Sequence, residues 1–181
     1  MKSIRNMPGE KVGTTVHTFE RAGLGLAPFK FVGFFENVFV ACPGAPPKPG
    51  GTCDYCGTGI RDCFQIQSAD GKKFVVGCDC VAKTGDAGLR KIIDGKVAEI
   101  KRERAHALDD EKIATGLAAF KEPAVEAALK LAPHPVDHWA AKGQTKWDQL
   151  DWFFRNAGRS GRVWAARMVL EFKQTMKGNE Q

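Results

Sequence analysis

The sequence predicts an α+β fold, with a strand-rich N-terminal half built around a small β-hairpin and a mainly helical C-terminal half. Three observations carry this expectation. Runs dense in Phe and Val, interleaved with polar residues, lie between Phe29 and Gly77. From Leu89 onward, apolar residues recur instead at helical spacing. The 181 residues are 43% hydrophobic and 27% charged, which supplies a core of ordinary size in one domain or two small ones.

Residues 1–28 open on the loop signals Pro8-Gly9 and Gly13. TTVHTFERAGLG then predicts a short helix capped by Thr14 or Thr15 and ending at Gly23 or Gly25. FKFVGFFENVFVAC, Phe29 to Cys42, is bounded by Pro28 and Pro43 and reads as one or two buried strands, with a bulge at Gly33 and a turn at Glu36-Asn37. PGAPPKPGG, Pro43 to Gly51, is too rich in proline and glycine for regular structure and reads as a semi-rigid spacer. In RDCFQIQSADGKKFVVGCDC the Asp70-Gly71 turn separates two strand-like runs. Phe64 and Ile66 alternate there with Gln65 and Gln67, and Phe74 and Val76 share a face, as a hairpin requires.

Beyond Asp86, the residues Leu89, Ile92, Ile93, Val97 and Ile100 fall at helical spacing, and the pattern runs on to Phe120 with candidate breaks at Gly95 and Thr115-Gly116. EPAVEAALKLAP is a short helix with Pro123 in its first turn and Pro133 past its end. KWDQLDWFFRNAG and RSGRVWAARMVLEFKQTMKG read as two helices joined by a tight turn at Gly158 to Gly161. The chain divides accordingly into three parts: 1–51, strand-rich with the Pro/Gly spacer; 52–85, a compact hairpin module; and 86–181, helical and ending in a helical hairpin.

No stretch approaches the roughly 18 apolar residues of a membrane helix, and the N-terminus has no signal-peptide run, so the expectation is a soluble, cytoplasmic protein with no membrane partner. Six cysteines are too few for a disulfide scaffold and, without an export signal, are expected to stay reduced, which shifts the reading toward metal. Cys53 and Cys56 form a CxxC. About twenty residues later Cys78 and Cys80 form a CxC, a spacing that reads as one structural four-thiolate Zn2+ site. A hairpin turning at Asp70-Gly71 returns the second pair to the first. Gly57 lets the backbone turn its amides toward thiolate sulfur, and Cys80 falls near a helix N-terminus that favours a thiolate. A redox CxxC belongs between strand and helix in a βαβ unit, whereas this one follows a spacer and precedes a hairpin. Cys42 and Cys63 read as small buried hydrophobes, either of which could replace Cys78 or Cys80.

This order of a CxxCG knuckle, a β-hairpin and a second ligand pair at a helix start resembles the treble-clef zinc-finger group over Thr52 to Gly85, with CxC in place of that group's second CxxC. CxxCGTGI followed by ADGKKFVVGCDC also resembles small uncharacterised zinc proteins of bacteriophage and prophage genomes, which implies a host cytoplasm as the setting and supplies no activity.

Four thiolates leave no open coordination position, so no enzyme and no small-molecule substrate are expected. A zinc deaminase needs PCxxC, and Thr52 stands where the proline would be. Nucleases built on the treble clef resemble one another in a hairpin histidine, and Arg61 to Gly77 has none. His134 and His138 could meet a metal but read more simply as exposed or capping residues. His17 and Glu20 read as a surface i, i+3 pair.

Function is then expected on the surfaces that the metal organises. The chain carries a net charge of +6 and a pI near 9.1. Lys72, Lys73, Arg90 and Lys91, followed by Lys101 to Arg104, form one basic run, and Arg155, Arg159 and Arg162 gather at the last inter-helix turn. Clustered cations of this kind suit the phosphates of DNA or RNA. Asp94, Glu99 and Glu103 interleave with the first run and offer the alternative of a solvated helix face. Trp147, Leu150 and Phe154, and Trp164, Met168 and Phe172, share helical faces and read as core. Trp139 and Trp152 have no evident place. The second partner class is protein, as an adaptor or inhibitor acting on a host protein, and exposure of any part of Phe29 to Phe39 would favour it.

Overall fold

The structure, a computed structural model, describes residues 16–178. Its α+β architecture falls into two compact units, residues 1–99 and 100–181. The first unit opens with helix α1, Thr18–Arg21, whose first turn is capped by His17: its Nδ1 accepts the Phe19 amide at 3.1 Å. The Thr14 and Thr15 caps read from the sequence lie outside the described residues.

Strands β1 (Lys30–Glu36), β6 (Asp62–Gln67) and β7 (Lys73–Val76) form an antiparallel sheet in the order β1-β6-β7, which leaves β1 at an edge. The register slips between Phe31 and Gly33, so the expected bulge is present and Val32 is its extra residue. Alternation places Phe64 and Ile66 of β6 opposite Val76 and Phe74 of β7. All four are buried, and Phe74 packs edge-on against Phe19 and Phe29, with ring centroids 5.3 and 5.8 Å away.

Two expectations are corrected. The Phe29 to Cys42 run is not buried throughout: Val32, Phe35, Val38, Phe39 and Val40 are exposed, because β1 is an edge strand and the chain beyond it leaves the sheet. The Pro/Gly spacer also contains regular pairing, since β2 (Val38–Phe39) pairs with β3 (Lys48–Pro49) and β4 (Gly51–Thr52) pairs with β5 (Gly59–Ile60). Two-residue ladders tolerate proline where longer strands do not.

Helix α2, Cys78–Ala82, follows β7 directly. Helix α3 runs unbroken from Ala87 to Phe120, about 50 Å at 1.5 Å per residue. Neither glycine breaks it. Gly95 faces open space, and Gly116 allows close helix approach, since a Cβ there would lie 2.3 Å from the Ala166 side chain. The second unit contains the end of α3 with α4 (Pro123–Leu131), α5 (Asp137–Ala140), α6 (Lys146–Asn156) and α7 (Arg159–Gly178). Its core of Phe120, Val125, Leu129, Leu150, Ala165 and Val169 gathers Trp147, Phe154, Trp164, Met168 and Phe172, the two stripes read as core. Gly161 lies inside α7 rather than in the turn, which is confined to Ala157-Gly158. Among the described residues no helix is long and apolar enough to cross a membrane.

Candidate metal centre

The paired strands β4 and β5 close a tight loop that carries Cys53 and Cys56. The Cys53 amide donates to Thr58 O at 2.9 Å and the Gly57 amide to Cys53 O at 2.8 Å. Gly57 has φ 73°, a left-handed conformation that a side chain would strain. Asp54 fastens this loop to the hairpin: its amide donates to Val75 O at 2.8 Å, and its carboxylate accepts the Val75 amide at 2.6 Å. β7 then delivers the chain to α2, whose third residue is Cys80. The hairpin therefore returns Cys80 to the first cysteine pair.

The sulfur atoms of Cys53, Cys56 and Cys80 all lie within 4.8 Å of one another. Cys80 Sγ is 3.7 Å from Cys53 Sγ and 3.3 Å from Cys56 Sγ. Thiolates about 2.3 Å from a tetrahedral zinc stand about 3.8 Å apart, so this spacing fits a thiolate-bound metal. No disulfide joins them, and all six cysteines are free. Cys53 and Cys80 are buried whereas Cys56 is exposed.

Cys78 is not among the three. It begins α2 and its Sγ lies 3.6 Å from Asp79 Oδ1. It nevertheless lines the same cleft of about 280 Å³ as Cys56 and Cys80, together with Thr58, Arg61 and Lys83. Cys63 is buried beneath Gly51, and Cys42 is exposed in the loop after β2, which corrects its reading as a buried residue.

The thiols of Cys56 and Cys80 titrate unequally. The Thr58 hydroxyl 3.3 Å away, with the Thr58 amide, lowers the Cys56 thiol to about 6, while burial first and donation to its neighbours second push Cys80 up to about 12. One sulfur ionises readily and the other resists, because the Thr58 donors favour the Cys56 thiolate whereas burial disfavours that of Cys80. Neither Thr58 nor Asp54 was singled out from the sequence. Their signal was their position in and beside the knuckle, where side chains serve the sulfur or the backbone.

The cations read as phosphate contacts are mostly neutralised. Arg90 pairs with Asp94 at 3.5 Å, Arg155 with Asp151 at 2.8 Å, Lys72 with Asp70 at 3.9 Å, and Arg159 with Asp110. Arg162 Nε donates to Ala157 O at 3.1 Å. Lys73 and Lys91 make no ion pair among the described residues. The histidine readings change as well. His134 is neither exposed nor a helix cap: it is buried, its Nδ1 accepting the Val136 amide at 3.0 Å ahead of α5, and His17 faces Asp86 at 3.8 Å rather than pairing with Glu20. Trp139 and Trp152 are 41% and 56% exposed.

Comparison with protein-family models, with curated proteins and with solved structures finds no match to this chain.

Proposed function

We propose that the protein is a non-catalytic binding module whose first unit is organised by one structural Zn2+. In this reading Cys53, Cys56 and Cys80 are three of its ligands and Cys78 is the fourth, in a treble-clef-like arrangement. Sulfur spacing near the edge of a ZnS4 tetrahedron supports it, as does the order of knuckle, hairpin and cysteine-bearing helix. Cys78 stands on the same cleft and completes the site by turning its thiol from Asp79. Four thiolates close the coordination sphere, so the metal stabilises and does not catalyse. Elemental analysis of purified protein tests this. One zinc per chain, lost on C53S/C56S, is expected, and metal-free protein with a Cys53–Cys56 disulfide would end the reading.

The partner class rests on one observation, the exposed run of Val32, Phe35, Val38, Phe39 and Val40 on and just after the open edge strand β1. An edge strand with apolar side chains suits an extended segment of a protein. It offers nothing to phosphate. The charge argues the same way: Lys and Arg number 13 against 10 Asp and Glu in residues 1–99, and 14 against 11 in 100–181, so neither unit concentrates the excess. The protein is therefore read as a protein-binding adaptor. A cross-linker placed at Phe39 is expected to trap one discrete protein from cell extract, and F35D is expected to abolish the capture.

Nucleic acid is the second reading, favoured by the unpaired Lys73 and Lys91. Salt-dependent retention on DNA or RNA, lost on K73E/K91E, would reverse the assignment.

A further inference from the structure

The second unit carries a groove that the metal centre and the β1 edge leave unexplained. It has a volume of about 430 Å³. Trp139 and Trp152 line it with His134, Gln144, Asp148 and Gln149. An indole left half in water is unusual on a surface without a partner, because its large apolar area favours burial. Here two border one groove.

The polar groups at the groove are placed to recognise a chain. His134 is buried, and its Nδ1 already accepts the Val136 amide, so the neutral ring carries its proton on Nε2 as a donor. The side-chain amides of Gln144 and Gln149 have no partner among the described residues and offer both donors and acceptors. Asp148 is the one carboxylate among the lining residues, and Lys142 Nζ lies 4.7 Å over the Trp139 ring at the rim. Asp148 Oδ2 is occupied by Thr145, accepting the amide at 2.8 Å and the hydroxyl at 2.7 Å. Apolar rings, amides and one carboxylate suit an extended peptide with a cation on it, and they disfavour a phosphate.

Such a segment exists on this chain. Pro46-Pro47-Lys48-Pro49 is exposed at every residue, and Lys48 has no ion pair among the described residues. Its prolines, and the pairing of Lys48–Pro49 with Val38–Phe39, already hold the segment extended, so little entropy is lost when its exposed face docks on an aromatic groove. Its lysine complements Asp148.

The geometry points to self-association through this pair: the Pro43–Pro49 arm of one molecule docks in the Trp139–Trp152 groove of a second copy, with Lys48 meeting Asp148.

Sedimentation equilibrium of the full chain over a wide concentration range tests the proposal. A concentration-dependent rise in mass is expected. W152A, at an exposed position, should weaken it about tenfold and K48E several-fold, with melting temperatures unchanged. The peptide PGAPPKPGG should dissociate the assembly and change tryptophan fluorescence in the same titration. A chain that remains monomeric at millimolar concentration would overturn the proposal. So would association indifferent to W152A, or a K48E effect on fluorescence that does not depend on protein concentration.

Discussion

The two units are held together by different means. In the second, α3, α4, α6 and α7 bury a continuous apolar core of seven residues around Leu150, Leu129 and Val169, with further aromatics packed against it. In the first, a three-stranded sheet and short ladders bury Phe19, Phe29, Phe64, Ile66, Phe74 and Val76, and the thiols of Cys53, Cys56 and Cys80 converge beside them. Small sheets rarely bury enough area to fold alone. The helical unit rests on apolar packing alone, whereas under the function proposed above a metal adds to the sheet unit a cross-link that its six free cysteines do not supply as disulfides.

The largest expected effect follows directly. Removing the metal with a strong chelator, or replacing Cys53 and Cys56 with serine, should unfold residues 1–99 while the helical unit persists. Apparent binding free energies of structural zinc are on the order of 10 kcal/mol, more than a sheet of this size can replace. Hydrogen exchange reads the outcome residue by residue: protection should vanish at Phe64, Ile66 and Val76 and survive at Leu129, Leu150 and Val169. Equal loss in both units would show that the comparison is drawn in the wrong place.

The converse experiment acts on the other unit. Leu150 is fully buried, so L150A should cost the helical unit about 2–5 kcal/mol in lost transfer energy and cavity formation, with zinc content unchanged. Calorimetry should show only the metal-independent transition move. G116V is expected to have a smaller effect of about 1–3 kcal/mol: its Cβ would meet the Ala166 Cα at 2.4 Å, and α3 and α7 would have to separate.

The same contrast explains what could be read from the sequence. Periodicity is written locally, so the hairpin at Asp70-Gly71, the long helix and the two core stripes around Leu150 and Trp164 were legible. The cysteine spacing likewise pointed to Cys53, Cys56, Cys78 and Cys80, and three of the four come together because a hairpin fixes where its two ends meet, while the Cys78 thiol lies beside Asp79. Edge position is not local. Nothing in FKFVGFFENVFVAC distinguishes a central strand from one whose outer side is open, and so Phe35 and Phe39 were expected in a core. Charge compensation across elements was hidden for the same reason: Arg159 finds Asp110 on α3, 49 residues away in sequence. Gly116 read as a helix break, though its role is to admit Ala166 from a distant helix.

The smallest expected effect is on acidity, and it sharpens the comparison because its sign is the same in both units but its range is not. Asp148 forms a capping box with Thr145, and the Thr145 hydroxyl, then its amide, hold the carboxyl below its ordinary range. A pKa depressed in the folded state contributes stability that is complete above the unfolded value of about 3.9 and lost as pH falls through the folded one. Asp148 is largely exposed, so the loss in the helical unit should be roughly 0.5 kcal/mol and confined to pH below about 4. The sheet unit should fail earlier in an acid titration, because protons compete with the metal for the thiolates well above that pH. Circular dichroism recorded with zinc release should therefore show two separated acid transitions, the first carrying the metal. T145A should shift only the second, and one merged transition would mean that the units share their stability.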